Sequence, residues 1–275
     1  ALTRIKRSFD EGTERSSARR RQFFAPARPN ILILQKNMKL LITILLFFGI
    51  TFNSFAQSSA KPNSPSLYYI FKEPKIKSAN PPVIILMHGV GSNEKDLFSF
   101  APQLPDSFLV ISLRAPINIG TDSYAWYHLT FENGKRIGNA VEAEASRLMI
   151  IQFINQLKTK HAFNDKRVYL CGFSQGSIMA YSIGLTVPEK IKGIAVMSGR
   201  LLEEVKSQIA AKEKLKNLKV FVSHGTNDGI ITISDAREAV TYIKTLGLAP
   251  TYKEYPEAHT ISNAMLADML LWLRN

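Results

Sequence analysis

The stretch that decides the fold runs Val168-Tyr169-Leu170-Cys171-Gly172-Phe173-Ser174-Gln175-Gly176-Ser177-Ile178-Met179-Ala180-Tyr181-Ser182-Ile183-Gly184. Its first four residues predict a short buried strand, and the residues from Ser177 predict a helix with small side chains on its early turn. Between them lies G-x-S-x-G. Set between a strand and a helix, this pattern forms a nucleophile elbow: the serine occupies a strained backbone conformation, so the residues two before and two after it must lack bulky side chains. Gly172 and Gly176 meet that demand. The helix that starts just past Ser174 puts its positive end and its free N–H groups under any oxyanion formed at the serine. Chance alone supplies this pentapeptide in some chains of this length, and the flanking strand and helix are what give it weight.

A serine hydroxyl is a poor nucleophile near neutral pH, so it needs a base to take its proton and an acid to orient that base. Two later strands end in suitable loops. Val220-Phe221-Val222-Ser223-His224-Gly225-Thr226-Asn227-Asp228-Gly229 puts Asp228 just past one strand, and Tyr255-Pro256-Glu257-Ala258-His259-Thr260 puts His259 past the last. The order Ser, Asp, His is that of the α/β-hydrolase fold. Competing residues fit less well. His161 closes a helix, His88 and His224 read as structural, and His128 lacks an acidic neighbour in a matching loop. Asp235 reads as a helix N-cap, and Glu257 stands only two residues from His259.

Upstream, Val83 to Met87 is apolar on both faces, as expected of a strand covered by helices on each side. It runs into His88-Gly89-Val90-Gly91-Ser92-Asn93, whose glycines let backbone N–H groups turn toward one point beside the strand end. The N–H groups of Val90 and Gln175 are therefore the candidate oxyanion donors, although a plain strand-to-helix turn favours the same glycines. A helix is predicted over 94–104 and a buried strand over 108–113. Residues 114–138 form a long excursion in which Trp126 and Tyr127 either wall a substrate pocket or pack as loop core. Val141, Ala145, Leu148, Ile151, Ile154 and Leu157 predict one buried face of a helix over 139–160. Further strands are expected at 67–71, 194–197, 220–222 and 251–255, with helices at 235–246 and 261–273. Strands alternating with helices imply an α/β architecture, a mainly parallel sheet with helices on both faces.

With these motifs in order, residues 66–275 resemble the carboxylesterase, phospholipase and acyl-protein thioesterase family of α/β hydrolases. The matching stretches are His88 to Glu94 with Asp96-Leu97, Trp126-Tyr127, Gly172 to Gly176, His224-Gly225-Thr226 with Asp228, and Tyr255 through His259. The resemblance implies a Ser174, Asp228, His259 triad, oxyanion donors at Val90 and Gln175, and hydrolysis of carboxylic or thioester bonds without metal or cofactor. Two positions depart from the family pattern: His128 stands where an acidic residue is common, and Gly229 where a proline follows the aspartate. Both bear on substrate preference more than on the chemistry. The expected partner is a small-molecule acyl ester. Lysophospholipase or thioesterase action on longer chains is the alternative, and a binding protein that kept the fold but lost turnover is the rival of another class.

The formal charge of +13 on 275 residues invites a nucleic-acid reading. Its distribution argues against one: residues 1–56 hold 10 Lys/Arg and 3 Asp/Glu, leaving 25 and 19 for the rest, and the only dense later run, Lys212 to Lys219, suits a solvated helix face. Met38-Lys39, the apolar run Leu40 to Ile50, and the small residues Ser54 and Ala56 match a secretory signal peptide over 38–56, cleaved after Ala56. The run is short of the roughly 20 residues a membrane span needs, so an exported enzyme, periplasmic or extracellular, with no stable span after cleavage is expected, an uncleaved anchor being the alternative. Residues 1–37 are expected to be a disordered extension, and 57–65, rich in Ser, Pro and Lys, a linker to the hydrolase domain at 66–275. The single cysteine, Cys171, excludes an internal disulfide and reads as a small buried residue.

Overall fold

Runs that are almost wholly apolar make the inner strands of the sheet, because a strand covered on both faces has no polar side to show. The computed structural model describes residues 67–132 and 135–275; the expected extension, signal peptide and linker lie outside the described residues. Strands β1 (Tyr69–Lys72), β2 (Val83–Met87), β3 (Leu109–Leu113), β8 (Val168–Phe173), β9 (Gly193–Met197), β10 (Lys219–Gly225) and β11 (Thr251–Tyr255) form a seven-stranded sheet in the order β1-β3-β2-β8-β9-β10-β11. Only β1 runs antiparallel, against β3; the other pairings are parallel. Every residue of β2, β3 and β9 is buried.

Alternate side chains of these strands feed two cores. On one face Ile84, Leu86, Val110, Cys171, Ala195 and Phe221 pack with Leu97 of helix α1 (Lys95–Phe98) and with Leu266, Met269 and Leu273 of helix α7 (Asn263–Arg274). The opposite face carries α2 (Ala140–Leu157), α3 (Gln175–Thr186) and α6 (Ile233–Thr245), which bury Ile150, Phe153, Met179, Ile183, Val240 and Ile243 against Val83, Ile85, Leu170, Ile194 and Val222. Two one-turn helices, α4 (Glu203–Lys206) and α5 (Lys212–Leu215), lie between β9 and β10. Each full burial of such an aliphatic side chain contributes about 1.5–3 kcal/mol.

Several expectations need correction. The helix at 94–104 is a single turn of α-helix, Lys95–Phe98, followed by turns. The excursion after β3 is two antiparallel ribbons, β4 (Ile117–Gly120) with β5 (Ser123–Ala125) and β6 (Leu129–Glu132) with β7 (Lys135–Gly138). In α2 the buried face is not the one the spacing picks out. Ala143, Ser146, Arg147, Ile150, Phe153, Ile154 and Leu157 are buried, whereas Val141 and Leu148 are 80% and 52% exposed. This helix is apolar around much of its circumference, so periodicity alone cannot orient it. Polar anchors do: Ser146 Oγ donates to the Trp126 carbonyl at 2.5 Å, and Arg147 grips Glu144 while donating to Thr186 and Gln208.

Candidate active site

The turn after β8 forces Ser174 to φ 52°, ψ −119°, a region that non-glycine residues rarely enter. Its neighbours leave no alternative. A Cβ on Gly176 would lie 2.0 Å from the Met87 carbonyl oxygen, and one on Gly172 would lie 2.3 Å from the Gly176 carbonyl carbon. The Ser174 N–H donates to the Met197 carbonyl at 3.0 Å, tying the turn to β9, and α3 begins at the next residue.

His259 reaches the serine from the loop between β11 and α7. That loop is held to the one after β10 by hydrogen bonds from Thr226 N–H to the Tyr255 carbonyl (2.7 Å) and from Asn227 N–H to the Glu257 carbonyl (2.9 Å). Gly225 permits the approach, since a Cβ there would sit 2.3 Å from the Glu257 carbonyl oxygen. The result is a continuous chain of contacts: His259 Nε2 lies 2.8 Å from Ser174 Oγ, and His259 Nδ1 lies 2.7 Å from Asp228 Oδ2. A carboxylate only accepts, so the imidazole proton sits on Nδ1 and leaves Nε2 free to accept from the serine hydroxyl. The Phe173 ring packs on the imidazole with centroids 4.9 Å apart.

Asp228 is buried and fully engaged. Its Oδ1 accepts from the N–H groups of Ile230 (2.8 Å) and Ile231 (3.0 Å), which turns Oδ2 toward His259. His224 also contacts it, with Nε2 3.3 Å from Oδ2 and donating to the Ile231 carbonyl at 2.8 Å. The rival acids are occupied elsewhere. Thr232, not Asp235, is the N-cap of α6; Asp235 closes a capping box from the third helical position. Nor is His128 without an acid: its Nδ1 lies 3.0 Å from both carboxylate oxygens of Glu142, which also accepts the His128 N–H. That pair is exposed and separate from the serine.

A cavity of about 590 Å³ opens beside Ser174, with Val90, Gln175, Tyr127 and Ile178 in its wall. Among the described residues, neither the Val90 nor the Gln175 N–H is taken by a backbone carbonyl. The turn that carries Val90 is braced by neutral His88. Burial lowers the affinity of its ring for a second proton; Nδ1–H donates to the Gly89 carbonyl (2.7 Å) and Nε2 accepts from Ala115 N–H (3.0 Å). Tyr127 lines the cavity, as one of the two expectations for it has it. Trp126 does not: its indole is fully buried and donates to the His88 carbonyl at 2.9 Å, so it stands behind the wall and supports it.

Sequence reasoning missed what the side chain of Gln175 does. Its side-chain Oε1 accepts from Trp126 N–H and its Nε2 donates to the Tyr127 carbonyl, both at 2.7 Å, clamping the excursion loop onto the elbow helix. No local signal announces a bond between residues 49 positions apart in the chain. Phe173 and the Ile230–Ile231 N–H pair were equally silent. Among the described residues no cluster of His, Cys, Asp and Glu could hold a metal ion, and no helix is long and apolar enough to cross a membrane.

A mainly parallel sheet whose strand ends bring a strained serine, a histidine and an aspartate into one hydrogen-bonded chain, with the serine opening on a cavity, has the arrangement of an α/β-hydrolase. Residues 73–275 match the phospholipase/carboxylesterase family, and the chain belongs to that family of carboxylic ester hydrolases. Carboxylesterase SOBER1 of Arabidopsis thaliana is 28% identical over 189 residues, spanning 66% of this chain and 77% of its own. Acyl-protein thioesterase 1 of Kluyveromyces lactis is 26% identical over 206 residues, spanning 70% and 90%. Among solved structures, esterase PE8 superposes with a TM-score of 0.65 at 25% identity, covering 76% of this chain and 98% of its own. The Bacillus cereus carboxylesterase shares the fold, with a TM-score of 0.67 at 19% identity over 77% of this chain and 95% of that one.

Proposed function

We propose that this protein cleaves carboxylic esters through a Ser174 acyl-enzyme, with His259 as general base and acid and Asp228 as its orienting partner. The observation that carries the proposal is the pair of contacts at 2.8 and 2.7 Å linking the three side chains. As Ser174 Oγ bonds to the ester carbonyl carbon, its proton passes to His259 Nε2. The carbonyl oxygen becomes an oxyanion that the N–H groups of Val90 and Gln175 are placed to stabilise. Collapse breaks the bond to the alcohol, which takes the proton from His259. Water then gives its proton to Nε2 and attacks the acyl group, and loss of Oγ, reprotonated by His259, frees the acid.

Labelling with a fluorophosphonate tests this reading. Wild-type protein is expected to be labelled once, at Ser174, and Ser174→Ala not at all, with turnover of 4-nitrophenyl acetate lower by about 10⁴-fold or more. Labelling that survives in Ser174→Ala would refute it. A second reading, action on longer acyl chains or on thioesters, draws on the apolar lining at Leu129, Phe131 and Ile178 and on the names of the thioesterase relatives. Rates across 4-nitrophenyl esters from acetate to palmitate, beside one acyl thioester, separate it from the first. We also propose export, on the strength of the apolar run 40–50. Cell fractionation with N-terminal sequencing of the mature protein tests it, the expected first residue being Gln57.

A further inference from the structure

Two cations share the wall of the cavity that holds Ser174. Arg200 is the third residue past β9, and Arg136 stands on β7. Arginines elsewhere in this fold take carboxylates in bidentate grips: Arg114 with Glu94, Arg147 with Glu144 and Arg237 with Glu254. Among the described residues neither Arg136 nor Arg200 has a carboxylate within 4 Å. Arg167 and Arg274 also lack one, but both lie outside the cavity, whereas Arg136, exposed as they are, lines it.

The surroundings make this lack of a partner informative. Leu129, Phe131, Ile230 and Ile231 line the same cavity, so on that side a guanidinium is flanked by apolar surface, while Glu203 and Glu204 line an adjoining recess on the other without pairing with either arginine. Asp235, the one acidic residue lining the cavity itself, has Oδ2 taken by the Thr232 N–H and hydroxyl at 2.9 and 2.7 Å. Arg200 is half-buried, and its backbone is pinned: Ser198 is at φ 52°, and a Cβ on Gly199 would lie 2.0 Å from Ser177 Oγ of the elbow helix. Arg136 leans over the Phe131 ring at 5.7 Å. Planar guanidinium groups suit a carboxylate or phosphate, which they bind through paired N–H donors.

We infer that Arg200 and Arg136 form an anion subsite, so that the preferred substrate is an ester which itself carries a negatively charged group. The inference rests on Ser174 being the nucleophile, as proposed above. The test compares charged and neutral esters matched in size. Mono(4-nitrophenyl) adipate is set against 4-nitrophenyl hexanoate for a charge on the acyl side, and 4-acetoxybenzoate against its methyl ester for a charge on the alcohol side. Each kcat/KM is divided by the ester's own hydroxide-catalysed rate.

The wild-type protein is expected to favour the anionic member of at least one pair. That ratio should fall about tenfold in Arg200→Ala and further in Arg136→Ala/Arg200→Ala, the size of a lost charge-assisted hydrogen bond. Arg200→Lys should keep part of it, and 0.5 M salt should lower it in the wild type. Because the readout is a ratio, partial unfolding of a variant leaves it unchanged. Turnover that depends on Ser174 but shows no anionic preference, or a preference untouched by the double substitution, overturns the subsite alone. Absence of any turnover dependent on Ser174 overturns the hydrolase reading and the subsite with it.

Discussion

A methyl group added at Gly176 would meet the Met87 carbonyl oxygen at 2.0 Å, and one added at Gly229 would meet nothing within 4 Å. The same substitution therefore has opposite signs at the two positions. Gly176→Ala is expected to destabilise by about 3 kcal/mol, since the contacted atom is backbone of the neighbouring strand and cannot yield. Gly229→Ala, where φ is not positive, should stabilise by about 0.5 kcal/mol by restricting the unfolded chain. Urea unfolding of the two variants checks both signs. Gly176 was legible as an elbow glycine because the motif demands a small residue there. The open space beside Gly229 belongs to the folded loop and leaves no trace in sequence.

At the scale of elements, what could be read depended on whether burial wrote a pattern. β2, β3 and β9 are buried on both faces and stand out as apolar runs. The strands β4 to β7 are three or four residues long and largely exposed where their side chains are described, so neither alternation nor composition marks them. For α2 the sequence supported the helix and misdirected its face, because Val141 and Leu148 look like core and are not. The site was legible where it rests on strand-end motifs, as with Ser174, Asp228 and His259, and illegible where it rests on contacts between distant elements. Gln175 is the chief example. Its amide joins α3 to the loop before α2, and Gln175→Ala would strand the buried Trp126 N–H and Tyr127 carbonyl. We expect that variant to lose roughly 2 to 4 kcal/mol of stability and to raise KM through the displaced Tyr127, measured by urea unfolding and steady-state kinetics.

For the whole molecule, two arginine–carboxylate pairs make stability depend on acidity. Glu94, with its side chain 1% exposed, is bound bidentately by Arg114, and that hydrogen bonding holds its carboxyl below the usual range against the opposing effect of burial. Arg237, aided by Tyr252, pulls the Glu254 carboxyl down to about 2. Both shifts are depressions, so the unfolded chain binds protons more readily in acid. The contribution is present above the ordinary carboxylate range and fades as pH falls toward the depressed values, for Glu254 between about 4.5 and about 2. Glu94→Gln should cost roughly 2 to 3 kcal/mol at pH 7, and the gap from wild type should narrow as unfolding is repeated down to pH 3. A gap that stays constant with pH would remove the ion pair as its cause.

The outermost strand on the catalytic side, β11, is hydrogen-bonded to the sheet along one edge only, and His259 follows it by four residues. Its side chains are mostly exposed, and elements with few buried contacts have low local stability. Mild denaturant should therefore disarm the enzyme while its interior is still dry: in a Trp272→Phe background, ester turnover is expected to vanish at urea concentrations where the fluorescence of enclosed Trp126 is still native. The last piece of chain to dock would then act as the safety catch on the serine proposed as nucleophile, so that a loosened molecule sheds its chemistry before it sheds its shape.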